Sequence, residues 1–150
     1  MVVQVKDIMV TKIISLEMGR NVREAAELMS RADIGSVLVY SDDRPVGIVT
    51  ERDVVRKIVA EGIDASKVLV IDVMSTPLVT VAPEASIEEA SDRMATYRVK
   101  HLPVVSGGEV VGMVAARDIA LAMAKEKNFE DIRLNAIAGI KSGELPAPYD

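Results

Sequence analysis

Apolar residues follow a helical spacing in two stretches of the chain, 21–29 and 86–94. In each stretch they fall three, four or seven positions apart, which places them on one face of a helix. Asn21 and Ser86 are the first residues of these stretches, and a glutamate follows each of them three positions later, as in a helix-capping pair. The pattern predicts two amphipathic helices whose buried faces consist of Val22, Ala25, Ala26 and Met29 in the first, and Ile87, Ala90 and Met94 in the second.

Two short apolar runs separated by turn residues follow each predicted helix. The runs "IGSVLVY" and "VGIV" flank "SDDRP", and the runs "VKHLPVV" and "VVGMV" flank "SGGE". Runs rich in Val and Ile around Asp or Gly-Gly turns predict β-hairpins. Beyond each hairpin, "TERDVVRKIVA" and "AARDIALAMAK" carry apolar residues at helical spacing, which predicts a closing helix.

These elements form an internal repeat, in which Met9 corresponds to Met74, 65 residues later, without a gap. We divide the chain into copy 1 at residues 5–60, a linker at 61–69, copy 2 at 70–125 and a C-terminal extension at 126–150. Each copy is predicted as a β-α-β-β-α unit with an opening strand, and it is too short to bury its apolar surface alone. The sequence therefore predicts an α/β (α+β) protein of two pseudo-symmetric copies packed together.

Composition narrows the possible functions of the chain. The formal charge of -5 and the aromatic fraction of 3% disfavour a nucleic-acid-binding surface. The chain has no Cys and a single His, so disulfides are excluded and a transition-metal site is not expected. It shows no nucleophile elbow and no Gly-rich phosphate loop, so we do not expect an enzyme. Without a leader pattern or an apolar run long enough to span a bilayer, we expect a cytoplasmic protein with no membrane contact.

Several ordered motifs carry a resemblance to a known family: "VKDIM" and "VIDVMSTPLVTV" open the copies, "HLPVV" lies in the middle, and "GIVTERDVV" closes copy 1. From residue 5 to about residue 125, the chain resembles a tandem pair of cystathionine beta-synthase (CBS) domains, called a Bateman module. The resemblance implies that the copies pack through their sheets and that the clefts between them bind AMP, ADP, ATP or S-adenosylmethionine. It also implies a homodimer in which two modules pair into a disc.

The family's nucleotide site uses a T/S-x-x-D element, which is present here as Thr50 and Asp53. By resemblance, Asp53 accepts hydrogen bonds from the ribose and Thr50 helps to hold the sugar or phosphate. The same pair is also a helix-capping pair, so capping alone is the alternative interpretation. The remaining residues implied for this main site are Ile48, Thr76, Pro77 and Leu78 around the adenine, and Lys100, His101 and Arg117 around the phosphate.

A second cleft is implied by the repeat, but its residues differ from those of the first. Ala115 stands where copy 1 has Thr50, and no basic pair corresponds to Lys100 and His101. We therefore expect a second site that is weaker or empty. Its implied residues are Lys12, Ile13, Ile14, Gly35, Ser36, Arg52, Met113 and Asp118.

The resulting hypothesis is a regulatory sensor that binds an adenosine ligand and transmits its occupancy to an unidentified effector protein. The alternative is a scaffold or oligomerisation module that acts through protein contacts with empty clefts. Within the extension, Asn128 is predicted to cap a helix that packs on its own module or contacts a partner through Phe129, Ile132, Ala136 and Ile140.

Overall fold

The computed structural model of the chain describes residues 2–126, so the helix predicted from Asn128 lies outside the described residues. Copy 1 contains α1 (Val5–Ile8), β1 (Ser15–Glu17), α2 (Val22–Ala32), β2 (Ser36–Ser41), β3 (Arg44–Thr50) and α3 (Glu51–Val54), which continues as a π-helical segment at Val55–Val59. The linker holds a 3-10 turn at Ala65–Lys67. Copy 2 contains α4 (Val70–Val73), α5 (Ile87–Tyr97), β4 (His101–Ser106), β5 (Glu109–Ala115) and α6 (Ala116–Glu126).

Helices α2 and α5 begin at the predicted capping residues, Asn21 and Ser86. The side chain of Asn21 accepts a hydrogen bond from the backbone N–H of Glu24 at 3.0 Å, and Ser86 accepts one from Glu89 at 3.0 Å. These bonds satisfy one of the unpaired N–H groups at each helix start. The apolar faces predicted for α2 and α5 are buried, except for Ala26, which is half-buried. The helix predictions are therefore confirmed.

Each copy also contains the predicted hairpin. Strands β2 and β3 pair antiparallel, as do β4 and β5. In copy 1, β1 adds to β2 in parallel and makes a three-stranded sheet. In copy 2, the corresponding position is reduced to an isolated bridge between Val81 and Val104. The turn between β4 and β5 uses Gly107 and Gly108, whose φ values of 59° and 79° favour glycine.

The opening segments pack across the molecule into the core of the other copy. Each begins with a helical turn, α1 or α4, that the repeat pattern did not predict. Val5 of α1 is fully buried among residues of copy 2 such as Ile87 and Leu102. Val70 of α4 is fully buried in the core of copy 1, which includes Val22. Each core therefore contains residues from both copies, which joins the copies by hydrophobic burial.

Backbone hydrogen bonds join the same segments to the hairpins. Ile48 and Ser75 exchange a pair of N–H to O bonds of 3.2 and 2.8 Å, and Val10 and Met113 exchange a pair of 2.9 Å each. Ser75 follows α4 and Val10 follows α1, so each opening segment lines one edge of the opposite hairpin. The first of these contacts places Thr50 and Asp53 of copy 1 beside the residues that open copy 2. No helix in residues 2–126 combines the length and the apolar character needed to cross a membrane.

Candidate functional site

A cleft of about 980 Å³ lies where the two copies meet. Copy 1 contributes the end of β3, the start of α3, Arg56 and Lys57 of its π-helical continuation, and Gly35, while copy 2 contributes residues 75–77, Val79 and residues 97–101. Since no element supplies the cleft alone, its shape depends on the packing of the two copies. We call it the inter-copy cleft.

Asp53 lines the inter-copy cleft and is buried, with 6% of its surface exposed. Its Oδ2 accepts hydrogen bonds from the backbone N of Thr50 at 2.9 Å and from Thr50 Oγ1 at 3.1 Å. Its Oδ1 accepts a bond from Ser75 Oγ at 3.0 Å. Thr50 Oγ1 accepts in return from the backbone N of Asp53 at 3.2 Å, which makes a complete capping box at the start of α3. The capping role of the pair is confirmed, whereas its ligand role stays a prediction.

Lys57 supplies a further contact to the same carboxylate. Its Nζ lies 3.0 Å from Asp53 Oδ1 and donates a hydrogen bond to the backbone O of Val73 at 2.7 Å. Asp53 and Lys57 are four residues apart, a spacing that brings helical side chains together. The ammonium group therefore links the T-x-x-D element of copy 1 to the end of α4.

His101 meets Gly35 across the two copies. A Cβ atom added at Gly35 would lie 3.0 Å from His101 Nε2 and 3.5 Å from Glu51 Oε2, so a larger residue would displace the imidazole. Burial lowers the pKa of His101; the nearby carboxylates of Glu51 and Asp118 partly offset this effect, and the Lys100 charge adds to it. The lowered pKa favours the neutral imidazole, which can serve as a hydrogen-bonding group in the cleft.

Charge and apolar surface are both concentrated in the inter-copy cleft. Besides the two carboxylates of Glu51 and Asp53, its lining carries five cationic side chains: Arg52, Arg56, Lys57, Arg98 and Lys100. Its apolar lining consists of Ile48, Pro77, Val79 and Val99, with Tyr97. Such a lining can pack on a flat ring, hydrogen-bond hydroxyl groups and neutralise an anion. Within residues 2–126, no group of three or more His, Asp and Glu residues is arranged to hold a metal ion.

The structure brings together seven of the nine residues predicted for the main site. Leu78 is half-buried and Arg117 is exposed on α6, and neither belongs to the lining of the cleft. Arg117 lies in the closing helix of copy 2, whereas the cationic residues of copy 2 that reach the cleft lie at the end of α5 and the start of β4. The seven that line it are Ile48, Thr50, Asp53, Thr76, Pro77, Lys100 and His101.

The residues predicted for the second cleft do not together line the inter-copy cleft. Gly35 and Arg52 line the inter-copy cleft, and Asp118 lines a different, smaller cleft. Ser36 is buried on β2 opposite Thr50, and Met113 bonds to Val10. Neither of the two clefts is lined by the remaining predicted residues, which are Lys12, Ile13 and Ile14.

The smaller cleft lies beside Asp118 and has a volume of about 470 Å³. It is present because the two copies differ at one position. Ala122 occupies the position in copy 2 that Lys57 occupies in copy 1. Asp118 corresponds to Asp53 and Ile8 to Val73, the two partners of Lys57. Ile8, Asp118 and Ala122 all line the smaller cleft. Where copy 1 has a lysine between α3 and α4, copy 2 therefore has open space between α6 and α1.

Sequence reasoning missed several residues of the inter-copy cleft, among them Lys57, Ser75 and Arg98. The Asp53–Lys57 spacing and the replacement of Lys57 by Ala122 in the repeat were available signals. Ser75 gave no such signal, since its contact with Asp53 joins residues that are 22 positions apart.

Comparisons with known proteins agree with this architecture. The model of the CBS domain family matches residues 5–60 and 70–125. The CBS domain-containing protein YhcV of Bacillus subtilis (strain 168) is 36% identical over 117 residues, which make up 78% of this chain and 83% of that protein.

Two solved structures share the fold. A CBS-domain protein of Burkholderia ambifaria MC40-6, assigned to signal transduction, superposes with a TM-score of 0.75 at 30% identity, covering 79% of this chain and 87% of that one. The hexameric CBS-CP12 protein from bloom-forming cyanobacteria gives a TM-score of 0.77 at 28% identity, with 95% and 90% covered. The chain therefore belongs to the CBS-domain family and carries two copies of the domain in tandem.

Proposed function

We propose that the protein is a regulatory module that binds an adenosine nucleotide, AMP, ADP or ATP, in the inter-copy cleft. The observation that carries this proposal is the meeting of Asp53 with residues 75–77, Val79 and residues 97–101 of copy 2 around one cleft. A buried carboxylate is suited to ribose hydroxyls, and the apolar lining beside Ile48 and Pro77 is suited to an adenine ring.

The charges of the cleft favour a phosphorylated ligand. Five cationic side chains face two carboxylates, so the lining carries an excess of positive charge although the chain as a whole has a formal charge of -5. Arg and Lys pair strongly with phosphate oxygens. S-adenosylmethionine brings a sulfonium and an ammonium group instead, so we expect it to bind more weakly than the nucleotides.

Calorimetric titration with AMP, ADP, ATP and S-adenosylmethionine tests the proposal on protein stripped of copurified nucleotide. We expect one nucleotide per chain, loss of binding in Asp53→Ala, and retention of this binding in Asp118→Ala, because Asp118 does not line the inter-copy cleft. The binding of two equivalent nucleotides per chain would contradict the expectation that the two copies form unequal binding sites. Absence of binding to folded wild-type protein would contradict the proposed function.

We propose further that the module acts as an oligomer, with a homodimer as the basic unit. Apolar side chains are exposed on the closing helices: Val55 at 57%, Val59 at 67% and Leu121 at 50%. Exposed apolar groups of this kind are typical of protein contact surfaces. Sedimentation analysis should show a dimer or a larger assembly, and Val55→Lys with Val59→Lys should shift it toward monomer. A wild-type monomer at high concentration would refute this part of the proposal.

The same surface supports the second candidate function, a scaffold that acts through protein contacts with empty clefts. Thermal unfolding separates the two functions. A nucleotide present at about 100 times its dissociation constant should stabilise a sensor by about 2.7 kcal/mol. A scaffold should show no stabilisation at any nucleotide concentration, and its oligomeric state should not respond to nucleotide.

A further inference from the structure

We infer that Lys57 is an exchangeable counter-ion of Asp53 that makes the inter-copy cleft select phosphorylated adenosine ligands over adenosine itself. The inference rests on the proposed function, because it concerns how that same cleft chooses its ligand. Lys57 lies outside the T-x-x-D element formed by Thr50 and Asp53, and its proposed role is in ligand specificity.

The hydrogen-bonding capacity of Asp53 is already filled by protein groups. A carboxylate offers about four lone-pair sites. Four donors reach it: the backbone N and Oγ1 of Thr50, Oγ of Ser75 and Nζ of Lys57. The side chain of Asp53 is only 8% exposed, which leaves little room for additional partners. Two ribose hydroxyls can therefore bind this carboxylate only if two of its present donors withdraw.

The four donors differ in how easily they can withdraw. The backbone N of Thr50 is fixed by the capping box. The hydroxyl groups of Thr50 and Ser75 can turn and share hydrogen bonds with a ribose, since each is both donor and acceptor. Lys57 is held by its Nζ alone and has a flexible side chain that is 45% exposed. Lys57 is therefore the charged group that a ribose displaces.

Displacement of Lys57 has opposite consequences for the two kinds of ligand. The binding of adenosine separates the Lys57 ammonium group from the buried Asp53 carboxylate. This separation is unfavourable, because adenosine supplies no anion with which the ammonium group can pair. A nucleotide supplies a phosphate within the same cleft, with which the released ammonium can pair. The ion pair in the structure thus opposes the binding of adenosine and is replaced when a phosphate enters.

Copy 2 shows that the fold does not require this lysine. Ala122 takes its position, Val10 takes that of Ser75, and α6 still follows β5 as α3 follows β3. Asp118 still accepts a capping bond from the backbone N of Ala115 at 2.8 Å. Lys57 belongs to copy 1, whose acidic residue Asp53 lines the inter-copy cleft. This location agrees with a role in ligand choice.

Calorimetric titration of AMP and adenosine into wild type, Lys57→Met, Lys57→Arg and Arg56→Met tests the inference. In Lys57→Met we expect adenosine to bind about fivefold more tightly, as for the loss of a half-exposed charge pair. AMP loses the cost of displacing the ion pair together with the pairing of its phosphate, so its affinity should change less and the preference for AMP over adenosine should fall. Lys57→Arg keeps the charge and should retain the wild-type preference for AMP. Arg56→Met removes a charge from the same cleft without touching Asp53, so AMP should weaken with no gain for adenosine.

A measurement on the wild-type protein does not depend on how a variant folds. The ¹⁵N resonance of the Lys57 ammonium should shift when AMP binds. If AMP binds while this resonance and the preference in Lys57→Met stay unchanged, the inference fails and the proposed function stands. Equal weakening of both ligands in Lys57→Met would also overturn it, and a wild-type protein that binds neither ligand would overturn both proposals.

Discussion

Single residues at equivalent positions of the two copies have different surroundings. Asp53 accepts hydrogen bonds from Thr50 and Ser75 and pairs with Lys57. Asp118 caps its helix through the backbone N of Ala115. The three side-chain partners of Asp53 are replaced by Ala115, Val10 and Ala122 in the other copy. The equivalent aspartates of the two copies therefore have different hydrogen-bonding and charge partners.

The loss of these two acids should therefore affect stability unequally. We expect Asp53→Ala to lower the free energy of unfolding by about 2 kcal/mol, because a cap is lost and buried partners are left unpaired. Asp118→Ala should cost about 1 kcal/mol, as for a cap alone. Urea unfolding followed by circular dichroism measures both, and equal losses would show that the extra contacts of Asp53 contribute nothing.

His101 should make stability depend on pH. Burial lowers its pKa below the ordinary value of about 6.5. The unfolded chain therefore takes up a proton more readily, and stability should fall as the pH drops through about 6.5 toward the lower folded pKa. NMR titration of the single histidine gives the folded pKa directly. In His101→Gln, the change in the free energy of unfolding between pH 7 and pH 5.5 should be smaller than in wild type. An unchanged pH dependence would show that other titratable groups cause it.

At the scale of elements, the closing helices α3 and α6 are held differently. Lys57 joins α3 and its π-helical continuation to α4 through Asp53 and the backbone O of Val73. The equivalent junction of α6 with α1 is open around Ala122. The closing helix of copy 1 is thus tied to the opening helix of copy 2 by a side chain that the reverse junction lacks.

Filling the open junction should stabilise the protein. We expect Ala122→Lys to place an ammonium group beside Asp118 and raise the free energy of unfolding by about 0.5 to 1 kcal/mol, as for a partly exposed ion pair. Ala120→Lys is the matched control, since Ala120 is exposed on the same helix and does not line the smaller cleft. A gain of the same size in both variants would attribute the effect to the added charge alone.

At the scale of the whole molecule, the exchange of opening segments makes the two copies interdependent. Val5 is buried in the core of copy 2 and Val70 in the core of copy 1. Neither core is complete with the residues of one copy. The two copies should therefore unfold together, as a single cooperative unit.

Substitutions at these two valines test the interdependence. Val5→Ala and Val70→Ala should each lower the free energy of unfolding by about 2 kcal/mol through lost burial and cavity formation. Each variant should keep one transition when methyl NMR signals of both cores are followed during urea unfolding. A fragment of residues 70–125 lacks Val5 and should not fold. Separate transitions for the two cores, or a folded fragment, would show that the copies are independent.

The sequence alone determined the repeat, the helices α2 and α5, both hairpins and the T-x-x-D cap, because these rest on interactions between residues close in the chain. Capping at Asn21 and Ser86 spans three residues, and each hairpin is joined by a short turn. It also identified Lys100 and His101, which line the inter-copy cleft together with Thr50 and Asp53.

Only the tertiary structure decided which partners those residues have. The exchange of Val5 and Val70 between cores, the bond from Ser75 to Asp53 and the location of Gly35 in the inter-copy cleft all join distant parts of the chain. Such contacts depend on how apolar faces pack in space, and the spacing of residues along the chain does not encode them. The sequence predicted unequal clefts because Ala115 replaces Thr50, and the packing around Lys57 and Ala122 adds a further difference between the copies.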